Sequence, residues 1–143
     1  MNNPFVLLVD DEVGFVEAIT RRLVKRDLNV ISAFSGPEAL ESLGNNKNLD
    51  VVVLDVKMPG MDGIDTLKEI KKDFPLVEVV MLTAHATVET AIEGMKRGAF
   101  DYLMKPCDIE QLVSKVTEAT AKKRLHEEKI REARIKEIAS RHG

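Results

Sequence analysis

The stretch VVVLDVKMPGMDG, residues 51–63, is the most informative about the architecture of this 143-residue chain. Its first four residues are apolar without alternation, which is typical of a central strand in a parallel sheet covered on both faces. Asp55 follows at the carboxyl end of this strand, and the loop after it is rich in the turn formers Pro and Gly. The stretch therefore predicts a buried strand that places a carboxylate at one edge of a sheet.

Four further apolar runs alternate with helical patterns along the chain. We expect strands at 5–9, 29–33, 51–54, 77–82 and 101–104. Between them, apolar residues at helical spacing predict helices at 13–26, 36–44, 64–73 and 87–97. Strict alternation of strands and helices implies right-handed crossovers, so the sequence predicts a three-layer α/β sandwich.

From about Leu112 the sequence predicts one long helix, because residues 107–142 contain neither Gly nor Pro. Leu112, Val116 and Ala119 form its predicted docking face. A single helix of this length exceeds what one small domain covers, so we expect its distal part to protrude, to pack on a partner or to fray. We divide the chain into a domain at 1–120 and a helical extension or linker at 121–143. Whether the chain is complete or the N-terminal part of a larger protein stays open.

Composition narrows the class of protein. A hydrophobic content of 44% in 143 residues suffices for one core. The single cysteine, Cys107, cannot form an intramolecular disulfide, and there is no Cys/His cluster for structural zinc. No apolar run approaches the ~20 residues of a membrane span, and the N-terminus MNNPFVLLVDDE does not read as a signal peptide. We therefore expect a cytoplasmic protein without a membrane partner.

The charge is distributed unevenly along the chain. Residues 120–143 carry eight Lys or Arg and four Asp or Glu, whereas the rest carries thirteen basic and twenty acidic residues. An acidic body argues against direct nucleic-acid binding by the domain. Charges of alternating sign in the basic tail indicate a solvated helix face. We expect no contact of this chain with nucleic acid.

Charged residues follow the predicted strands at their carboxyl ends. Asp10 and Asp11 follow the first strand, Asp55 the third and Lys105 the fifth. In an open parallel sheet these ends converge on one crevice, where ligands bind. Carboxylates at close range repel one another, and Mg²⁺, which prefers oxygen ligands, would relieve that repulsion together with the Lys105 ammonium. The residues predict a site for a metal and a transferred phosphoryl group.

Three stretches together resemble the receiver domain of two-component response regulators. LLVDDE (7–12), LDVKMPGMDG (54–63) and MLTAHATVETAIEGMKRGAFDYLMKP (81–106) follow the family's order over roughly residues 4–120. The last stretch is most similar to receivers of the nitrogen-regulatory, sigma-54-activator type. The resemblance implies a flavodoxin-like sheet of order 2-1-3-4-5, and a phosphoprotein that a sensor histidine kinase phosphorylates.

The resemblance also implies a role for each site residue. Asp55 would be the phosphoacceptor. Asp11 would ligate Mg²⁺ directly, with Asp10 directly or through water, alongside Asp55 and the backbone carbonyl of Lys57.

Three further residues would read the phosphoryl group. Thr83 would hydrogen-bond a phosphoryl oxygen, Lys105 would pair with it before a cis bond to Pro106, and Tyr102 would be the aromatic switch residue. Phosphorylation would then alter the surface of residues 84–119. The chain would be a switch with self-phosphorylation and slow autodephosphorylation rather than an enzyme with a turnover substrate. A homodimer through the 84–119 surface or the C-terminal helix is one expected output.

Other interpretations of these residues stay open from the sequence. A haloacid-dehalogenase-like phosphatase also uses an aspartyl phosphate, but it needs a second acid two residues after the nucleophile, where this chain has Lys57. A flavin-binding flavodoxin-like protein needs a phosphate-cradling first βα turn, where DDEVG (10–14) offers acids. Asp10 and Asp11 are also residue types that cap helices.

Overall fold

Five parallel strands form the central sheet of the computed structural model, which describes residues 2–142. The strands are β1 (Phe5–Val9), β2 (Asn29–Ala33), β3 (Val51–Leu54), β4 (Glu78–Thr83) and β5 (Asp101–Met104), in the spatial order β2-β1-β3-β4-β5. The helices are α1 (Val13–Val24), α2 (Gly36–Asn45), α3 (Gly63–Asp73), α4 (Val88–Lys96) and α5 (Ile109–His142). This architecture confirms the predicted flavodoxin-like sandwich with an extended C-terminal helix.

Helices cover both faces of the sheet and create two hydrophobic cores. Helices α1 and α5 bury Leu23, Leu112 and Val116 on one face, whereas α2 and α3 bury Leu43 and Leu67 on the other. Successive residues of β3 alternate between these two cores, since side chains of a strand point to opposite faces. Both faces are apolar, which explains the unbroken apolar run at 51–54.

Strand β4 is displaced by one residue from the predicted range of 77–82. The Val77 N–H donates to the Phe74 carbonyl at 3.1 Å and thereby closes the turn after α3. The ladder with β3 begins at Glu78, which pairs with Val51, and β4 extends to Thr83. Hydrophobicity alone misplaces the start of this strand, because the apolar Val77 belongs to the turn and the first residue of the strand, Glu78, is a buried acid.

Helix α5 begins at Ile109, earlier than the predicted Leu112, and continues without a break to His142. The predicted docking face is confirmed, since Leu112, Val116 and Ala119 are all buried. Four large apolar residues farther along α5 are exposed: Leu125, Ile130, Ile135 and Ile138. The distal part of α5 therefore protrudes from the domain. None of the helices in residues 2–142 combines the length and the apolar composition of a membrane span.

A group of buried ion pairs lies at the amino-terminal edge of the sheet, opposite the predicted crevice. Asp50, just before β3, accepts hydrogen bonds from Lys123 Nζ at 3.2 Å, from Arg124 Nε at 3.3 Å and from the Phe5 N–H at 2.9 Å. Arg124 also donates to the Asn2 carbonyl. These contacts tie α5 to the start of the chain.

A second buried acid completes this edge. Glu78 lies 3.2 Å from Lys71 Nζ and 3.0 Å from Lys122 Nζ. We refer to Asp50, Glu78, Lys71, Lys122, Lys123 and Arg124 as the basal cluster. Contacts of α5 with the sheet therefore extend to Arg124, a little beyond the predicted domain boundary at residue 120.

Candidate functional site

Three carboxylates converge at the carboxyl edge of the sheet, as the sequence predicts. Asp10 and Asp11 follow β1, and Asp55 follows the neighbouring strand β3. One carboxylate oxygen from each lies within 4.8 Å of the others. Asp10 and Asp55 are buried, whereas Asp11 is exposed. Clustered carboxylate oxygens with one open side match the donor set that hard divalent cations prefer.

Asp10 already uses both of its carboxylate oxygens. Its Oδ1 accepts a hydrogen bond from the Glu12 N–H at 2.9 Å, and its Oδ2 accepts one from Lys105 Nζ at 2.6 Å. Burial raises the pKa of the Asp10 carboxyl above its ordinary value, while the hydrogen bonds from Lys105 and Glu12 oppose that rise. An additional cation would stabilise the ionised form of this buried carboxylate.

Asp55 has one oxygen without a partner. Its backbone N–H continues the ladder by donating to the Val9 carbonyl at 3.0 Å, which fixes the residue at the strand end. Its Oδ1 is buried and accepts no hydrogen bond from the described residues. An unsatisfied buried carboxylate oxygen is costly, so this atom is the clearest structural sign that the crevice takes a ligand.

The loop after Asp55 depends on two glycines. Gly60 has a φ of 77°, in the left-handed region that favours glycine. A Cβ atom on Gly63 would lie 2.0 Å from the Asp55 carbonyl oxygen, and the Gly63 N–H donates to the Val56 carbonyl. Asp62 then caps α3 by accepting from the Asp65 N–H at 2.9 Å. The glycines of this loop allow it to fold back tightly behind the carboxylate.

Lys105 reaches the same crevice from the loop after β5. The Lys105–Pro106 bond is cis, as the resemblance implied. The Lys105 N–H donates to the Thr83 carbonyl at 2.9 Å, which links the ends of β4 and β5. Its Nζ lies 2.6 Å from Asp10 Oδ2, 3.9 Å from Asp55 Oδ2 and 3.8 Å from the centroid of the Phe15 ring. The ammonium therefore stands between two of the three carboxylates.

Thr83 and Tyr102 lie on the neighbouring strands β4 and β5. Thr83 is fully buried at the end of β4, and its Oγ1 accepts a hydrogen bond from the His85 N–H at 3.0 Å. Tyr102 is half-buried, and its hydroxyl lies 2.7 Å from Thr90 Oγ1. Thr90 in turn forms a reciprocal capping box with Thr87 at the start of α4. The Tyr102 hydroxyl is thus tied to the first turn of α4.

An open recess of about 430 Å³ lies between the loops that follow β3 and β4. Its lining consists of Val56, Lys57, Asp62, His85, Ala86, Thr87 and Thr90. It borders the loop that follows Asp55. A larger groove of about 1080 Å³ lies along the basal cluster, at the edge of the sheet opposite the crevice with Asp10, Asp11 and Asp55.

The structure brings together Asp10, Asp11, Asp55 and Lys105, and it places Thr83 at the neighbouring strand end. The helix-capping interpretation of the paired acids is not supported, since the N-cap residue of α1 is Glu12, whose own side chain makes no capping hydrogen bond. Asp10 accepts only from the Glu12 N–H, before the first helical residue. The Lys57 carbonyl as a metal ligand stays a prediction.

Sequence reasoning missed two neighbours of these residues, Phe15 beside Lys105 and Thr90 beside Tyr102. The position of Phe15 in the first helical turn after Asp10 and Asp11 was the available signal for the former.

A parallel sheet of order β2-β1-β3-β4-β5 with an acidic crevice at the ends of β1 and β3 defines a receiver-like α/β class of protein. The sequence profile of the response regulator receiver domain matches residues 6–117. The chain therefore belongs to the response regulator receiver family of two-component signalling systems.

Curated relatives support the same assignment. The transcriptional regulatory protein ZraR of Klebsiella oxytoca is 40% identical over 127 residues, which is 89% of this chain and 28% of the relative. The DNA-binding transcriptional regulator NtrC of Escherichia coli K12 is 39% identical over 119 residues, 83% of this chain and 25% of the relative. The chain thus spans about a quarter of the length of these relatives. They confirm the predicted similarity to receivers of the sigma-54-activator type.

Solved receiver domains have the same architecture. A response regulator receiver domain protein from Clostridium thermocellum superposes with a TM-score of 0.81 at 38% identity, covering 85% of this chain and 98% of that one. The receiver domain of NtrX from Brucella abortus gives a TM-score of 0.75 at 33% identity, covering 81% and 98%. None of these matches supports the phosphatase alternative.

Proposed function

We propose that Asp55 accepts a phosphoryl group from the phosphohistidine of a sensor histidine kinase. Receiver domains of response regulators are phosphorylated by histidine kinases, so the donor class follows from the family. The observation that carries the residue assignment is Asp55 Oδ1, which is buried and unpartnered beside two further carboxylates and an ammonium. This oxygen has the burial and the charged surroundings that a carboxylate nucleophile needs.

The chemistry follows from the side chains around that oxygen. An Asp55 oxygen forms the new P–O bond while the P–N bond of the phosphohistidine breaks, and the imidazole leaves with the electron pair. The transition state spreads negative charge over the equatorial phosphoryl oxygens. We propose that Lys105 would stabilise that charge as a cation and the Thr83 hydroxyl as a neutral hydrogen-bond donor. Loss of the phosphoryl group by attack of water would regenerate the carboxylate.

We propose that Asp10, Asp11, Asp55 and the Lys57 carbonyl hold Mg²⁺. Receiver domains generally bind this ion at an acidic pocket, and the clustered carboxylates here fit hard-cation chemistry. When bound, the ion supplies positive charge that offsets the carboxylates and the incoming phosphoryl oxygens. Lys57 and His85 line the recess beside the site, where they would influence how long the aspartyl phosphate lasts.

Acetyl phosphate labelling tests this proposal without a cognate kinase. The unmodified protein with Mg²⁺ should gain the mass of one phosphoryl group by intact-protein mass spectrometry. Asp55→Asn should gain none, while its circular dichroism spectrum stays unchanged. Chelation of Mg²⁺ should suppress labelling of the unmodified protein. Labelling that persists in Asp55→Asn would move the phosphoacceptor to another residue and contradict the proposal.

We further propose that phosphorylation is transmitted to the surface of residues 84–119 through Thr83 and Tyr102. This surface carries exposed apolar side chains on α4 and β5, including Val88 at 74% exposed, Ile92 at 50% and Met104 at 65%. Apolar groups grouped on a surface favour a protein partner. A second copy of this chain, docking through this surface or through α5, is the partner we propose.

Light scattering with Mg²⁺, in the presence and absence of beryllofluoride as a phosphoryl mimic, tests the homodimer. A rise in particle mass that requires beryllofluoride and is absent in Asp55→Asn supports it. Beryllofluoride binding by calorimetry without any change in mass would contradict the homodimer and indicate a different protein as the target.

The remaining proposals concern the setting of the domain. We propose a receiver at 1–120 and a helical extension or linker at 121–143, in a cytoplasmic protein. The acidic domain would not itself contact nucleic acid. The DNA binding in the name of NtrC is a property of that protein, of which the match covers only 25%. Limited proteolysis that cleaves between 125 and 142 before any other site would support this division.

A further inference from the structure

The Lys105 ammonium has a neighbour that is not an anion. Its Nζ lies 3.8 Å from the centroid of the Phe15 ring, well within the range of a cation–π contact. The Lys105 side chain is only 11% exposed, and such contacts strengthen when the cation loses water. Its other neighbours are acids: Asp10 at 2.6 Å, with Asp55 and Glu12 both at 3.9 Å.

The anionic partner of Lys105 must change during the proposed phosphorylation. In the present structure that partner is Asp10, whose two oxygens are both occupied by Lys105 and by the Glu12 N–H. If Asp10 turns an oxygen towards a cation, its hold on Lys105 weakens. The ammonium must then remain in the crevice until it meets the phosphoryl group on Asp55. A contact that does not depend on any anion would keep it there.

The local structure places Phe15 where it can serve this purpose. Phe15 lies in the first turn of α1, which starts immediately after the acidic residues of the crevice. It is partly buried and packs against the core between the sheet and the α1–α5 layer. A leucine would supply similar apolar packing to that core. Only an aromatic ring adds the electron-rich face that attracts a cation, so packing and cation binding can be separated by mutation.

We propose that Phe15 is a positioning residue for Lys105, whose ring face holds the ammonium in the crevice while its anionic partner changes from Asp10 to the phosphoryl group. This inference rests on the phosphoacceptor function proposed above. Phe15 does not touch the reacting atoms and acts only through Lys105.

Nuclear magnetic resonance of the whole chain tests the contact directly. The Lys105 ε-methylene protons should show an upfield ring-current shift in the free protein. The shift should persist after Mg²⁺ and beryllofluoride are added, and it should disappear in Phe15→Leu. A shift that vanishes when beryllofluoride binds to the unmodified protein would overturn the proposal, because Lys105 would then leave the ring when its partner changes.

Acetyl phosphate labelling rates test the consequence. Phe15→Leu should slow labelling about three- to tenfold, whereas Phe15→Tyr and Phe15→Trp should restore it to within about twofold. In a Lys105→Met background, Phe15→Leu should have no further effect on beryllofluoride affinity. Equal losses in Leu, Tyr and Trp variants would show that Phe15 serves packing alone and would overturn the proposal.

Two controls distinguish failure of the positioning role of Phe15 from failure of the phosphoacceptor proposal on which it rests. If the unmodified protein is not labelled at all, the phosphoacceptor proposal fails, whatever the ring-current shift shows. If Phe15→Leu does not fold, Phe15→Met provides a flexible apolar side chain without a ring, and circular dichroism establishes which variant to use. Labelling of that variant at the unmodified rate contradicts the positioning role.

Discussion

Replacing Asp50 with alanine should strongly destabilise the domain although the residue lies far from the crevice. Asp50 is 2% exposed. It pairs with the buried Lys123 and with Arg124, and it accepts the Phe5 N–H. The substitution removes one of the two carboxylates that pair with the buried Lys123 ammonium, and it leaves the Phe5 N–H without its acceptor. It also removes the contacts of Arg124 with Asp50, so that Arg124 keeps only its hydrogen bonds to the Asn2 and Asn3 carbonyls.

The expected loss of stability depends on the interactions that remain for each partner of Asp50. Removing one member of a buried ion pair costs about 3–5 kcal/mol. Lys123 keeps a second carboxylate, Glu127, at 3.1 Å, and the Arg124 side chain is 30% exposed, so water solvates part of its charge. These two features favour the lower end of that range, while the lost hydrogen bond to Phe5 adds about 1 kcal/mol. We expect a loss of about 4 kcal/mol in the free energy of unfolding.

Urea unfolding followed by circular dichroism measures this loss. The slope of free energy against urea should stay constant, so that the change appears in the midpoint. Arg141→Ala is the matched control, since it removes an ion pair with Glu137 in which both side chains are exposed. The control should change the free energy of unfolding by less than about 0.5 kcal/mol. If Asp50→Ala costs no more than this control, the reasoning about the basal cluster is wrong.

Further predictions concern the crevice and its surroundings. Gly63→Ala should cost more than about 3 kcal/mol of unfolding free energy and slow acetyl phosphate labelling, because its Cβ would collide with the Asp55 carbonyl at 2.0 Å. Thr90→Val should cost about 1–2 kcal/mol in urea unfolding, because the Tyr102 hydroxyl loses its 2.7 Å partner and the Thr87 N–H loses its acceptor in the capping box. Burial raises the pKa of the Cys107 thiol, so alkylation by iodoacetamide should stay slow at neutral pH and accelerate only in alkaline solution, where the thiolate forms.

Each of these expectations has an outcome that contradicts it. Unmodified stability and labelling in Gly63→Ala would mean that the loop after Asp55 relaxes easily. If Thr90 and Tyr102 share a hydrogen bond, Thr90→Val and the double variant Thr90→Val with Tyr102→Phe should lose the same free energy of unfolding. Losses that add in the double variant would contradict the shared bond. Alkylation of Cys107 in the folded protein at neutral pH that is as rapid as in the urea-unfolded chain would contradict the raised pKa.

The crevice was predictable from the sequence because its residues follow strands that the apolar runs define. Once β1, β3 and β5 are placed, parallel topology alone brings Asp10, Asp55 and Lys105 to one edge. The position of β4 was less predictable, since Glu78 interrupts the apolar signal although it lies within the ladder.

The basal cluster could not be predicted in the same way. Asp50 and Lys123 are far apart in the sequence, and their contact depends on how α5 crosses the sheet, which no local pattern records. Residues 122–124 read as part of a solvated basic tail, whereas Lys123 is buried. The contacts of Phe15 with Lys105 and of Thr90 with Tyr102 likewise depend on side-chain placement across elements.

The basal cluster holds α5 to the domain just before the helix protrudes, so any change of helix angle there would be magnified along the protruding part. Beyond Arg124 the helix runs through residues 125–142, a length of about 27 Å at 1.5 Å rise per residue. A tilt of only about 10° at the basal cluster would sweep the far end through roughly 5 Å, which is about one helical turn. Small rearrangements within the sheet would thus become large displacements at the C-terminal end of α5. The ion pairs at Lys122, Lys123 and Arg124 would resist such a tilt, because they hold this part of α5 to Glu78 and Asp50.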